Sequence, residues 1–125
     1  MKASERSSLD YLNDMLDAAQ KAIRFVAGVS YEEFRGNDEK TYAVIRALEI
    51  LGEAVKNVPA HLRRRHPAVP WRVVAGMRDK LIHGYFGVSL ERVWETVRDD
   101  LPQLVEMIED MLVEERARKK LNTHA

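Results

Sequence analysis

The stretch SLDYLNDMLDAAQKAIRFVAGV, residues 8–29, decides the fold class of this chain. Its apolar residues recur at three- and four-residue spacing, which is the period of an amphipathic helix. Ser7 or Ser8 is placed to cap the helix start, and Gly28 with the segment 31–37 ends it. The residues on the apolar stripe are Leu9, Leu12, Leu16, Ala19, Ile23 and Val26.

The same period continues beyond this segment and predicts two more helices. The second covers about 38–58, is closed by Pro59, and turns Ile45, Leu48, Gly52 and Val55 inward. The prolines of PAHLRRRHPAVP, residues 59–70, leave room for at most a turn or two of helix. Pro70 is placed to start a third helix over 71–83, and Gly84 has the position that favours a left-handed residue.

A fourth helix is predicted from Leu90 to about Lys120, capped by Ser89. Pro102 lies inside it and should kink or divide it near Asp99, because proline cannot donate a helical hydrogen bond. No stretch alternates with the period of a strand. We therefore predict an all-α antiparallel four-helix bundle, one domain over residues 1–125, with a basic tail (116–125) that can fray.

Composition excludes several classes of protein. A chain of 125 residues with 46% hydrophobic residues is long and apolar enough for one core. With no Cys there is no disulfide framework, thiolate metal site or cysteine nucleophile. The N-terminal MKASERSSLDYLNDML carries charges where a signal peptide is apolar, and no run approaches the roughly 18 apolar residues of a spanning helix. These features predict a cytoplasmic protein without a membrane segment.

The formal net charge is zero, from 20 basic and 20 acidic residues. Nucleic-acid-binding domains usually carry a net positive charge, so the total argues against that function. The charges are unevenly distributed, however. Residues 1–98 hold 16 basic and 13 acidic residues, 99–115 hold seven acidic and no basic ones, and 116–125 hold four basic and no acidic ones.

The candidate chemistry lies in MRDKLIHGYFG, residues 77–87. On a helix Asp79 and His83 share a face, so the carboxylate can accept a hydrogen bond from one imidazole nitrogen and leave the other for proton transfer. Arg78 lies about 140° around the helix from His83. A second copy of the helix across a dimer axis would let the two residue types converge. The alternative is that Arg78 and Asp79 are surface charges and His83 caps the helix end.

The motif has matching sequence on both sides. RDKLIHGYFGVSLERVW, with RALEILGEA (46–54) upstream and LPQL (101–104) downstream, resembles the HepT toxin family of the HEPN superfamily. The family hallmark is Arg, four residues, His, any residue, Tyr, which corresponds here to Arg78, His83 and Tyr85. The resemblance extends from about Leu9 to Leu112.

This resemblance implies a dimer in which the motifs of both protomers form a metal-independent ribonuclease site without a cofactor. It also implies a partner, a minimal nucleotidyltransferase antitoxin that silences the toxin by transferring AMP to the motif tyrosine, here Tyr85. From the residues alone, Tyr85 is also compatible with an ordinary half-buried aromatic side chain. Arg46 and Glu49 correspond to the Arg and Glu that lie near the site in the family, so they are candidates for orienting the motif.

Arg63, Arg64 and Arg65 form the densest basic cluster and are candidates for binding RNA phosphates, although a solvated loop explains them equally well. The flanking His61 and His66 lack the usual spacing of metal ligands, so no metal site is predicted there. Two other functions remain compatible with the chain. It could be a non-catalytic helical module that docks the nucleotidyltransferase, or a bundle that binds nucleotide without cleaving a bond.

Overall fold

The computed structural model describes the backbone of residues 6–83 and 89–124 and the side chains of residues 6–77 and 89–122. This part of the chain is all-α and contains no strand, as predicted. Its helices are α1 (Ser8–Val26), α2 (Tyr31–Arg35), α3 (Asp38–Lys56), α4 (Ala60–Arg65), α5 (Trp71–His83), α6 (Leu90–Glu95) and α7 (Leu101–His124), with a π-helical turn at Thr96–Asp100.

Helix α1 begins with a complete capping box. The Asp10 backbone N–H donates to Ser7 Oγ (3.3 Å), and the Ser7 N–H donates to Asp10 Oδ2 (2.8 Å). Its buried face is broader than the predicted stripe, because α1 packs against both α3 and α7. Leu12, Ala19 and Val26 of the predicted stripe are buried, and the other three positions, Leu9, Leu16 and Ile23, are partly buried and pack against the core. Met15, Ala18 and Ala22, which were not predicted, are also buried.

Helix α2 was not predicted. The segment after Gly28 was expected only to end α1, and Gly28 does adopt a left-handed conformation there (φ +70°). Ser30 then accepts a hydrogen bond from the Glu33 N–H and starts a new helical turn. Phe34 of this turn is buried in the core, where its ring centroid lies 5.5 Å from that of Trp94. The stabilising contact is with a residue sixty positions away, so local patterning could not reveal it.

Helix α3 forms the centre of the bundle, between α1 and α5. Its N-terminus is capped by Asn37, which accepts a hydrogen bond from the Lys40 N–H (3.0 Å). It ends at Lys56, two residues earlier than predicted. Leu48, Gly52 and Val55 are buried as predicted, whereas Ile45 is only partly buried and Val44 takes the fully buried position.

The proline-bounded segment contains one short helix, α4, which is within the turn or two that the prolines were expected to allow. Helix α5 has the predicted bounds, and the Val74 N–H donates to the Pro70 carbonyl (3.0 Å) in its first turn. Val74 is buried (1% exposed) and anchors the helix, which packs against α3. The predicted role of Gly84 lies outside the described residues.

The last helical element is divided where Pro102 predicted. Ser89 caps α6 by accepting a hydrogen bond from the Arg92 N–H, as expected. The π-helical turn follows, in which the Leu101 N–H donates to the Thr96 carbonyl, five residues back. This wider turn accommodates a proline ring that would otherwise clash with a carbonyl one turn earlier. Helix α7 then runs to His124, four residues beyond the predicted end. No helix of the described chain is both long enough and apolar enough to span a membrane.

Candidate functional site

The candidate motif begins on helix α5. The described backbone places residues 78, 79 and 83 in its last two turns. Positions 79 and 83 lie about 40° apart around the axis, while 78 and 83 lie about 140° apart. Position 78 is about 40° from the buried Val74, so it lies toward the side of α5 that faces the core. One helix therefore presents positions 78 and 83 on different sides.

The side chains of Arg78, Asp79 and His83 lie outside the described residues, as does the whole of Tyr85. The hydrogen bond from His83 to Asp79 stays a prediction, and so do the exposure and role of Tyr85.

Arg46 and Glu49, the candidates for supporting the motif, lie on α3, the helix against which α5 packs. They form an ion pair with each other (Arg46 Nη1 to Glu49 Oε2, 3.4 Å). The Arg46 side chain is well exposed and that of Glu49 is partly exposed. A surface pair of this kind contributes little to stability, so both side chains could change partner at small cost. Their contact with the motif stays a prediction.

The three consecutive arginines of α4 are in different environments. Arg65 donates two hydrogen bonds to Glu115 of α7, from Nη2 to Oε1 (2.7 Å) and from Nε to Oε2 (3.2 Å). His66 donates from Nε2 to the same Oε2 (2.7 Å), since an ionised carboxylate can only accept. Glu115 is only 6% exposed. Arg65 therefore joins α4 to α7, and both carboxylate oxygens of Glu115 are occupied.

Two opposing effects act on the pKa of Glu115. Burial alone would raise the pKa of this carboxyl group, but the hydrogen bonds from Arg65 and His66 outweigh it and hold the pKa below its ordinary value. The group is therefore ionised at neutral pH and forms a charged link between α4 and α7.

His66, Glu114 and Glu115 bring one potential metal-ligand atom each to within 4.8 Å of one another, although sequence spacing suggested no such cluster. Cationic side chains already bind these carboxylates. Besides the contacts of Arg65, Arg118 lies 3.3 Å from Glu114 and 3.7 Å from Glu115. A metal ion would have to displace Arg65 from Glu115. We therefore assign the cluster as an ion-pair network.

Arg63 and Arg64 lie on a different surface from Arg65. They line an open groove of about 730 Å³ between α4 and the first half of α5, together with Arg72. The other lining residues are Ala60, Pro67, Trp71, Ala75 and Gly76. Within the described chain, none of the three arginines forms an ion pair, and the buried Nε of Arg63 has no hydrogen-bond partner. We name this feature the arginine groove.

Sequence reasoning missed Arg72 and Trp71 as candidate residues. A signal was available for Arg72, because it precedes His83 by eleven residues, or about three helical turns, and so lies on the same side of α5. No local signal pointed to Glu115, which lies fifty residues from Arg65 in sequence.

Comparison with known proteins gives a consistent result. The family model described as Ribonuclease HepT-like matches residues 15–111. The chain is 48% identical over 100 residues to the "Probable ribonuclease HepT" of Thermococcus cleftensis, covering 80% of this chain and 91% of the relative. It is 44% identical over 106 residues to a "Putative RNase" of Caldanaerobacter subterraneus subsp. tengcongensis, covering 85% and 95%. A "Putative RNase" of Methanocaldococcus jannaschii is 43% identical over 102 residues, with 82% and 84% covered. No solved structure matches the chain.

Proposed function

This chain belongs to the HepT-like ribonuclease family of the HEPN superfamily, and on that premise we propose that it is the ribonuclease toxin of a toxin–antitoxin pair acting on RNA in the cytoplasm. The observation that carries the proposal is the sequence motif Arg78, His83 and Tyr85 inside the part of the chain that matches the family, with positions 78 and 83 in the last two turns of α5. The relatives described above are named as ribonucleases, which supports RNA as the substrate.

The reaction needs no metal ion. RNA supplies its own nucleophile: the 2′-oxygen attacks the adjacent phosphorus, a base takes its proton, and an acid protonates the departing 5′-oxygen. His83 can act as base or acid, and Arg78 stabilises the negative charge that develops on the phosphate oxygens. DNA lacks the 2′-hydroxyl and is not a substrate for this chemistry.

A homodimer completes the site. One neutral histidine cannot serve as base and acid at the same moment, but two copies of His83 can divide these roles. The angle of about 140° between positions 78 and 83 separates the two motif residues on one helix. Two α5 helices meeting across a dimer axis would bring them around one scissile phosphate.

The partner in this proposal is a minimal nucleotidyltransferase antitoxin. It transfers AMP from ATP to the Tyr85 hydroxyl, forming a phosphodiester with the tyrosine oxygen and releasing pyrophosphate. The AMP group places bulk and a negative phosphate close to the position that the RNA phosphate must take. Substrate is then excluded by steric overlap and by repulsion between like charges.

The central test is His83→Ala, with His61→Ala as the matched control because His61 is an exposed histidine of α4 outside the motif. We expect His83→Ala to abolish RNA cleavage and growth arrest, and His61→Ala to retain both. Equal cleavage by wild type and His83→Ala, measured on purified protein with a chelator present, would exclude His83 as the catalytic group.

Tyr85→Phe separates modification from catalysis. We expect this variant to cleave RNA but to gain no AMP when incubated with the nucleotidyltransferase and ATP, as read by intact mass. An AMP adduct on the variant would mean that another residue accepts the group.

A further inference from the structure

The arginine groove has the features of a binding site for a polyanion. We propose that it is a substrate-binding subsite that holds the backbone of single-stranded RNA and guides the strand along α5 toward His83. The position of the cut at His83 rests on the proposed function. The evidence for the groove is independent of that function and comes from the arrangement of α4 and α5.

The first argument is that no carboxylate of the described residues compensates the charges of the groove. Arg63, Arg64 and Arg72 converge on one open groove, and no carboxylate of the described chain pairs with them. Arg65 provides the contrast, because the same short helix directs it to Glu115. Three unpaired guanidinium groups in one groove repel one another, and a row of phosphates relieves that repulsion.

The second argument is the buried Nε of Arg63. This donor is shielded from solvent and has no acceptor among the described atoms. A buried N–H without a partner is costly, so native proteins seldom leave one unpaired. No described acceptor holds the Arg63 side chain at Nε, so a shift of its guanidinium group toward the groove would let a phosphate oxygen accept a charge-assisted hydrogen bond there.

The third argument is the direction of the groove. Arg72 and Gly76 line it from α5, and positions 79 and 83 follow on the same side, all four within an arc of about 60° around the axis. The rise along the helix from Arg72 to position 83 is about 16 Å. That length spans at most about five stacked nucleotides at ~3.4 Å each. The groove therefore lies within a few nucleotides of the proposed cut.

Trp71 makes the site suitable for nucleotides rather than for small anions alone. It lines the groove, and its indole Nε1 donates to the His66 carbonyl (2.9 Å), which fixes the ring in place. A fixed aromatic ring beside arginines can stack on a base while the arginines hold the backbone. An exposed basic surface without an aromatic ring would lack this second contact.

The test measures binding without cleavage. The probe is a fluorescein-labelled single-stranded oligouridylate of about ten nucleotides, a length within the range of known single-strand sites. Its anisotropy is followed with full-length protein carrying His83→Ala, so that the probe stays intact. In this background we expect Arg72→Gln to raise Kd about tenfold, and the triple variant R63Q/R64Q/R72Q to raise it on the order of a hundredfold or more.

The salt dependence gives a second reading of the same contacts. Each phosphate contact contributes about 0.7 to the slope of log Kd against log salt for a single strand, so the triple variant should lower that slope by about 2. Arg24→Gln is the control, because it removes an exposed charge of α1 that does not line the groove and should leave Kd and slope unchanged.

A second pair of variants avoids any loss of folding. Apart from the adjacent residues and the nearby backbone of α5 itself, no described atom lies within 4 Å of the position that a Cβ at Gly76 would take, and replacing a helical glycine favours the helix. Gly76→Glu should therefore fold and place a negative charge in the groove, which would abolish RNA binding. Gly76→Gln has nearly the same size without the charge and should retain most of the binding.

Equal RNA affinity of the parent, the triple variant and Gly76→Glu, or no RNA binding by the parent, would overturn the proposal. The proposal would also be overturned if the groove variants still bind RNA but no longer bind a purified nucleotidyltransferase, because the groove would then be a docking site for protein. Cleavage by the wild type with unchanged binding by the variants would refute the groove and leave the nuclease standing. Groove-dependent RNA binding without any cleavage by the wild type would support the groove and refute the nuclease.

Discussion

The contact between Glu115 and the Arg65–His66 pair predicts a large effect of one polar substitution on stability. Glu115→Gln removes the negative charge while keeping nearly the same volume. Three hydrogen bonds reach the carboxylate, at 2.7, 2.7 and 3.2 Å, and the group is only 6% exposed. The substitution leaves the Arg65 guanidinium without its counter-charge and places an amide N–H₂ against donors.

The expected cost follows from these exposures. Removing one partner of a fully buried ion pair costs about 3–5 kcal/mol. The Arg65 side chain is 35% exposed, so water partly replaces the lost carboxylate. We therefore expect Glu115→Gln to lower the free energy of unfolding by about 2–3 kcal/mol. At about 4 °C per kcal/mol for a domain of this size, Tm should fall by about 8–12 °C.

The assay is thermal unfolding followed by circular dichroism, with urea unfolding as a second measurement. Glu114→Gln is the matched control, because Glu114 is the adjacent residue on α7, is about half exposed and pairs with Arg118. The Glu114→Gln substitution should lower the free energy of unfolding by about 0.5 kcal/mol or less. A fall in Tm of less than about 2 °C for Glu115→Gln, or an equal fall for both variants, would refute the assignment of Glu115 as a buried charged link.

Three further predictions concern stability. Burial raises the pKa of Glu115, but the hydrogen bonds donated by Arg65 and His66 outweigh it and hold the pKa below its ordinary value of 4.5. The stability that this carboxylate adds is therefore complete above that pH and is lost as the pH falls through the folded-state pKa. The Tm difference between wild type and Glu115→Gln should therefore narrow below pH 4.5, and a constant difference would contradict this. Phe34→Ala should lower the free energy of unfolding in urea by about 3–5 kcal/mol, since Phe34 is fully buried against Trp94. A decrease of less than about 1 kcal/mol would mean that α2 is not part of the core. Gly28→Ala should cost about 1–2 kcal/mol from its positive φ alone, because no described atom lies within 4 Å of the added Cβ; a stabilised variant would exclude the left-handed turn.

Predictions from sequence succeeded where the deciding interaction lies within about five residues. Ser7 and Ser89 cap helices, and Pro70 and Pro102 start or divide them, because each acts on backbone groups one turn away. The motif on α5 is also a local pattern, so the sequence was sufficient to bring Arg78 and His83 into one short helical segment.

Predictions were weaker where a residue has a choice of distant partners. The apolar stripe predicted for α1 was too narrow, because its buried arc is set by contacts with α3 and α7 together. Helix α2 was missed since its stability depends on the packing of Phe34 against Trp94. The zero net charge also gave no indication of how charges pair locally, because Glu115 of the 99–115 run pairs with Arg65 and not with the neighbouring Arg63 and Arg64.

The sequence by itself determined the all-α class, the capped starts of α1 and α6 and the motif, because helical period, caps and prolines act through neighbouring backbone groups. Only the tertiary structure determined which arginines of the cluster Arg63, Arg64 and Arg65 pair with a carboxylate. Successive residues of a helix point about 100° apart, so α4 directs Arg65 to α7 while Arg63 and Arg64 face a groove shared with Arg72. Which arginine pairs and which stays available depends on the elements that pack beside it, and that arrangement is a property of the whole fold.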